Sequence, residues 1–233
     1  MFFNIPEDTR LRHEWKHMIT PVDKAQLIAR LSSFCSSDEH YGNQSYRIRS
    51  LYFDNVYDKA LSERLNGQEV REKFRIRYYN NDDSYIMLEK KSKFNQLCGK
   101  KGCRLSRSEV EALLAGDVTW LLKKEEPLCA ELHAKMQSQL LRPKVIVDYS
   151  RRAFVYGPGN TRITIDEDVR TGLSSLDFFN PDLVLVPADV RRPIILEVKY
   201  DEYLPEIVRR AIQLDNRRTS NFSKYTASRL TNY

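Results

Sequence analysis

At 233 residues, 41% of them hydrophobic, the chain is long enough to bury a core and too apolar for a disordered tail. The balance of 38 Lys and Arg against 32 Asp and Glu leaves a net charge of +6, which favours anionic ligands without the composition of a histone-like tail. Cys35, Cys98, Cys103 and Cys129 form no CxxC pair and no zinc-type group with histidine, so a reduced compartment suits them. The opening Met1–Asp8 segment is too short and too acidic for a signal peptide, and no apolar run approaches the ~20 residues of a membrane span. The expectation is a soluble, cytoplasmic protein.

In chain order, residues 10–19 read as a first strand. Thr20-Pro21-Val22-Asp23 follows as an N-cap, a proline at the first helical position and an acid in the first turn, ahead of Leu27, Ile28, Leu31 and Phe34 at helical spacing. Residues 46–53 read as a second strand, with a short helix after Asp54-Asn55 that runs to about residue 66. Strands over 70–79 and 84–93 are joined by Asn80-Asn81-Asp82-Asp83, a turn signal. A short strand near 101–105 leads into a capping box, Ser106 with Glu109, before Val110, Leu113 and Leu114. The stretch 117–140 is mostly helical with a break near Pro127. A long strand over 144–156 turns back at Gly157-Pro158-Gly159-Asn160 into 162–166, and the last clear strand, 194–200, precedes a helix over about 204–214 and a tail through Tyr225. With no linker, repeat or low-complexity segment, one α+β domain on an antiparallel sheet is the simplest reading.

A charge pattern recurs on these strands: charged residues two apart with an apolar or aromatic residue between them. Glu14-Trp15-Lys16, Arg75-Ile76-Arg77 and Glu197-Val198-Lys199 carry it, and Glu89-Lys90-Lys91, after Ile86-Met87-Leu88, keeps the spacing with a lysine between. Spacing of two puts both charges on one face of a strand. A half-wet antiparallel sheet also alternates polar with apolar, but an ordinary wet face uses Thr, Ser and Gln freely. Here Arg and Lys fill those positions repeatedly. If that face closes on itself, the cations repel unless a strong anion fills the space, and polyphosphate is such an anion. Carboxylates sharing strands with cations suit Mg²⁺ or Mn²⁺ held beside phosphate oxygens.

Ordered sequence blocks carry a family resemblance. Arg-x-Glu-x-Lys at 12–16, Ser50-Leu51-Tyr52-Phe53-Asp54-Asn55, Phe74-Arg75-Ile76-Arg77-Tyr78, Leu88-Glu89-Lys90-Lys91, Tyr149-Ser150-Arg151-Arg152-Ala153-Phe154, Leu196-Glu197-Val198-Lys199 and Phe222-Ser223-Lys224 follow one another over about residues 10–225. The chain thereby resembles VTC domains, the polyphosphate polymerase domains of the vacuolar transporter chaperone family within the CYTH-like triphosphate tunnel metalloenzymes. The resemblance implies one such domain over 1–233, an α+β fold with an antiparallel β-barrel forming a tunnel and helices around it. Its phosphate-binding residues would be Lys16, Arg75, Arg77, Lys91, Arg104, Arg151, Arg162, Lys199, Ser223 and Lys224, with Arg75, Arg77, Lys91, Lys199 and Lys224 closest to the chemistry. Glu197 would be the main metal ligand and Glu14 and Glu89 secondary acids, for Mn²⁺ or Mg²⁺. Asp166 shares a strand face with Arg162, as a tunnel residue or as a turn cap.

Two departures stand out. Arg12 occupies the position of the first glutamate of the superfamily's Glu-x-Glu-x-Lys, which weakens the case for a two-metal hydrolase. Asn221 stands where fungal polymerases carry a further lysine near the tunnel end, which implies weaker product binding. The implied activity is transfer of the γ-phosphate of a nucleoside triphosphate such as ATP to a growing polyphosphate chain. The alternatives are tripolyphosphate or nucleoside triphosphate hydrolysis in the same tunnel, or binding of polyphosphate or nucleic acid without catalysis. Without RRM or KH signatures no nucleic-acid partner is expected. Any membrane exit would belong to a separate protein. His13 and His17 flank Trp15 and point away from Glu14 and Lys16, so they read as surface or structural residues. Tyr52, Tyr78 and Tyr79 read as core before nucleobase platforms.

Overall fold

The computed structural model describes residues 11–37, 42, 44–95, 97–214 and 219–231. Residue 10 of the expected first strand and the 1–8 segment lie outside them. The strands are β1 (Arg12–Ile19), β2 (Ser36–Ser37), β3 (Tyr46–Asp54), β4 (Val70–Tyr79), β5 (Asp82–Phe94), β6 (Leu97–Leu105), β7 (Arg142–Tyr156), β8 (Thr161–Thr171), β9 (Val186–Pro187) and β10 (Ile194–Tyr200). The helices are α1 (Pro21–Ser32), α2 (Lys59–Leu65), α3 (Arg107–Leu114), α4 (Pro127–Ser138), α5 (Glu206–Ala211) and α6 (Lys224–Leu230), with a 3-10 turn over Thr119–Lys123.

Most starts follow local chemistry. Thr20 and Asp23 form a reciprocal capping box with Pro21 in the first turn of α1, and Ser106 and Glu109 do the same for α3. The β4–β5 turn is tighter than its four polar residues suggest: Asn80 and Asn81 alone take positive φ, and Asp82 already pairs with Tyr79. The chain between α3 and α4 breaks as expected, with Pro127 opening α4.

All pairings are antiparallel. The order β7-β3-β4-β5-β6-β1-β10-β8 closes because β8 also pairs with β7, so the sheet forms a ring; β2 and β9 extend β7 and β8. Period-two alternation then separates two environments. Outward-facing Phe74, Ile76, Tyr78, Ile86, Leu88, Cys103 and Leu105 bury under α3 and α4 in one core. Ile163, Ile165, Leu196 and Val198 bury under α1 and α5 in another. The intervening positions face the inside of the ring. There a third cluster, with Tyr52, Val147, Tyr149 and Ile195, packs against Tyr225 of α6 and Ala60 and Leu61 of α2.

Several elements differ from the sequence reading: β8 runs on to Thr171, and the short β2 and β9 were not expected. β6 starts four residues earlier, because its glycines, which look like breakers alone, pair in register: Gly99 with Ser92 and Gly102 with Glu89. α5 is shorter than 204–214, since Pro205 sits at its N-cap. The tail contains α6, capped by Ser223, whose hydroxyl accepts from the Thr226 amide. Among the described residues no helix is long and apolar enough to cross a membrane.

Candidate phosphate-binding tunnel

Each charged pair of the sequence pattern reaches the inside of the ring, where the side chains gather into three ion clusters. In the first, Glu89 of β5 is 1% exposed and receives Arg75 at 2.8 Å, Arg77 at 2.7 Å and Lys100 at 3.0 Å. Arg75 also donates to the Tyr52 hydroxyl at 3.0 Å. Burial alone would raise the Glu89 carboxyl, but Arg75, Arg77 and Lys100 outweigh it and hold it well below the usual range.

The second cluster joins β1, β5 and β10. The register sets Lys16 opposite Glu197 and Glu14 opposite Lys199. Lys16 lies 3.5 Å from Glu14 and 3.4 Å from Glu197, and Lys199 lies 2.6 Å from Glu197 and 3.7 Å from Glu14. Lys91 reaches past β6 to Glu14 at 2.7 Å. Burial opposes ionisation of both acids, yet the lysines keep both carboxyls well below their ordinary value. The third cluster is the fully buried Asp166 of β8, clasped by Arg151 through two bonds of 2.6 and 2.7 Å and by Lys224 of α6 at 2.5 Å. Asp166 therefore belongs to the tunnel lining and caps no turn.

The structure thus brings Lys16, Arg75, Arg77, Lys91, Arg151, Lys199 and Lys224 together with the acids. Arg162 lies on the same inner face, 3.3 Å from the Tyr46 hydroxyl. Arg104 sits apart at an exposed rim, bonded to the Ser84 carbonyl and stacked on Tyr85. The hydroxyl oxygen of Ser223 is engaged by the α6 cap. Glu89 is clasped by different cations from those that join Glu14 and Glu197, and no group of three or more His, Cys, Asp or Glu among the described residues is arranged to hold a metal. Arg12 ion-pairs with Asp201 at 3.0 Å at the rim. His13 stacks on Tyr200 and Trp15 meets that ring edge-on, on the outer surface, clear of the acids.

Tyr78 is outer core, whereas Tyr52 and Tyr79 face inward. Tyr79 packs between Tyr46 and Tyr85, at ring separations of 6.0 and 6.3 Å, with Arg77 over its own ring at 5.1 Å. Sequence reasoning missed Lys100, Arg71, Lys73 and Lys93. For three of them the signal was present: Arg71-x-Lys73 continues the spacing of two ahead of Arg75, and Lys93 continues it beyond Lys91.

The fold is thus a closed antiparallel ring lined on its inner face with cations and a few carboxylates. The VTC domain model matches residues 11–233, and the chain belongs to that family. It is 27% identical over 157 residues to vacuolar transporter chaperone complex subunit 4 of Schizosaccharomyces pombe, a stretch covering 58% of this chain and 22% of that protein. The chain thus matches about a fifth of that relative's length. Among solved structures it is similar to a putative adenylyl cyclase from Hippeastrum described as having a dominant triphosphatase activity, at 13% identity, 96% coverage of both chains and a TM-score of 0.56. A putative adenylate cyclase from Bacillus halodurans is similar at 14% identity, over 82% of this chain and 81% of that one, with a TM-score of 0.47.

Proposed function

We propose that the chain is a polyphosphate polymerase-type domain that moves the γ-phosphate of a nucleoside triphosphate onto the end of a polyphosphate chain inside the tunnel. One observation carries this reading: the inner face gathers Lys16, Arg75, Arg77, Lys91, Arg151, Lys199 and Lys224 around carboxylates that cannot neutralise them all. Guanidinium forks meet two phosphate oxygens at once, and Arg75 and Arg77 stand side by side on one strand face. Membership of the VTC domain family supports a phosphate-polymer role. The reading places the domain in the cytoplasm, with any membrane passage supplied by a separate protein, and involves no nucleic acid.

Transfer needs little side-chain chemistry. A terminal phosphate oxygen, already ionised, attacks the γ-phosphorus, the bridging β–γ P–O bond breaks, and the nucleoside diphosphate leaves with the electron pair. The enzyme's task is to align two anions and screen their repulsion. Arg75, Arg77 and Lys91 would hold the transferring group; Lys199 and Lys224 would hold the acceptor. Tyr79 and Tyr85 flank the Arg77 end and would face the nucleoside. Glu14 and Glu197 fit a divalent metal, because both are ionised oxygen donors sharing Lys16 and Lys199, and Mg²⁺ commonly takes one or two carboxylates plus substrate phosphates. Such an ion would neutralise phosphate charge. Arg12, a cation at the rim where a hydrolase would want another acid, favours a phosphate acceptor over water.

The test is incubation of the purified protein with labelled ATP and Mn²⁺, with products sized on a gel. A ladder of lengthening chains is expected. Orthophosphate alone, released from ATP and tripolyphosphate, would instead assign the tunnel to hydrolysis, and binding without turnover would make it a binding module.

A further inference from the structure

Ser50 opens the sequence block that supplies Tyr52 to the tunnel, two residues ahead of it on the same strand face. The ladders set Ser50 directly opposite Arg77 on β4 and Val147 on β7. Opposed residues share a face, so Ser50 points into the ring beside Arg77, while Leu51 packs into the outer core. Ser50 is 0% exposed, and its hydroxyl has no hydrogen-bond partner among the described residues. The Arg77 Nε–H, also buried, has none either, although a terminal nitrogen of the same guanidinium reaches Glu89 at 2.7 Å. The flanks supply no acceptor: Ile48 and Val147 are apolar, and the Tyr52 hydroxyl is engaged by Arg75. Buried polar atoms are nearly always paired, and two unpaired ones facing each other across a ladder call for a cause.

The geometry points to Ser50 as a phosphate-contacting residue whose hydroxyl, together with the Arg77 Nε–H, seats one phosphoryl oxygen. This rests on the phosphate-binding reading above and adds a neutral donor that the charge pattern does not mark. The chemistry of the two groups selects the ligand atom. A guanidinium N–H only donates, and a serine hydroxyl has a proton to give, so one acceptor satisfies both. The positive charge of Arg77 favours an anionic oxygen there. Opposed residues hold their Cβ atoms about 5 Å apart, within the span that a single oxygen bridges. A hydroxyl also adds a donor without adding to the repulsion among Arg75, Arg77 and Lys91. Ser50 is closed to solvent, so the seat opens as the Arg77 head group turns from Glu89 to the phosphate. Apolar Ile48 and Val147 then keep the bond dry and strengthen it.

Thermal melts and calorimetric titration with tripolyphosphate test this on wild type and Ser50→Ala. The variant loses an unpaired buried hydroxyl, so its melting temperature without ligand should hold or rise, whereas tripolyphosphate affinity should fall about tenfold. In an Arg77→Lys background, which keeps the charge but has no Nε–H, the same substitution should cost less than about threefold. Affinity within twofold of wild type would mean that the gap between Ser50 and Arg77 holds only water, and would overturn the proposal. An equal tenfold loss in both backgrounds would overturn the shared seat. Failure of the wild type itself to bind tripolyphosphate would instead overturn the functional reading. Ser50→Cys, of nearly the same shape and a weaker donor, carries the same comparison should Ser50→Ala not fold.

Discussion

Lys73 allows a quantitative test of how this tunnel is held together. Its ammonium is lowered from 10.5 to about 7, first by burial and then by Arg64, Arg71, Lys91 and Lys16. Between those two values the unfolded chain binds more protons than the folded one, so the wild type gains stability as pH rises from about 7 towards 10.5, and below 7 the penalty is fully present. At about 1.4 kcal/mol per pK unit the gap has an upper bound of roughly 5 kcal/mol, and local relaxation and water reduce it to about 2. Lys73→Met keeps the apolar stem over Tyr225 and removes the charge. The variant should therefore be more stable than wild type by about 2 kcal/mol at pH 7 in denaturant unfolding. The advantage should shrink as the pH approaches 10. It should also shrink in saturating long polyphosphate, which stabilises the wild type by mass action. No gain at pH 7, or a gain that grows with pH, would refute the argument.

Glu89→Gln leaves Arg75, Arg77 and Lys100 without their shared anion and should cost about 3–5 kcal/mol, recovered in part by added tripolyphosphate in thermal melts. The same variant should flatten the acid limb of stability, because the depressed Glu89 carboxyl contributes stability that is complete above the ordinary glutamate range and is lost as pH falls through its folded value. Arg75→Ala with Arg77→Ala would strand Glu89 beside Lys100 alone, so the pair belongs in a Glu89→Gln background. There tripolyphosphate binding should disappear while circular dichroism shows the fold intact. Glu197→Gln should weaken the Mn²⁺ dependence of turnover and leave part of the phosphate affinity; an unchanged Mn²⁺ titration would show that Glu197 has another role.

Much of the fold was legible because the strands obey a strict period of two and two helices carry complete capping boxes. Arg75-Ile76-Arg77 needed no tertiary information to reveal its face, since Ile76 is fully buried under α4 and the arginines fall on the other side. Ring closure was different. It depends on β8 pairing with both β10 and β7, a long-range choice that the family resemblance supplied and residue spacing did not. Lys100 was hidden by Gly99 and Gly102, which look like punctuation until β5 supplies a register. The role of Asp166 depends on Lys224, 58 positions away, on a helix that sequence reasoning took for a tail. Arg104 shows the opposite case: the family resemblance put it among the phosphate-binding residues, but position along the strand carries it out to the rim.

The three ion clusters also constrain how a phosphate chain could enter. Glu14, Glu89, Asp166 and Glu197 are each held ionised by the cations they share, so a phosphate entering at those cations competes with a carboxylate for them. At Glu89 and Asp166 the exchange costs most, because each acid is nearly or fully buried and its cations converge on it alone. At Glu14 and Glu197 two acids share Lys16 and Lys199, so lysines drawn onto phosphate leave a pair of neighbouring carboxylates exposed to each other. On the proposed reading that is where a divalent ion becomes favourable, and only once phosphate is present. On that reading the charge layout makes triphosphate binding and metal binding interdependent.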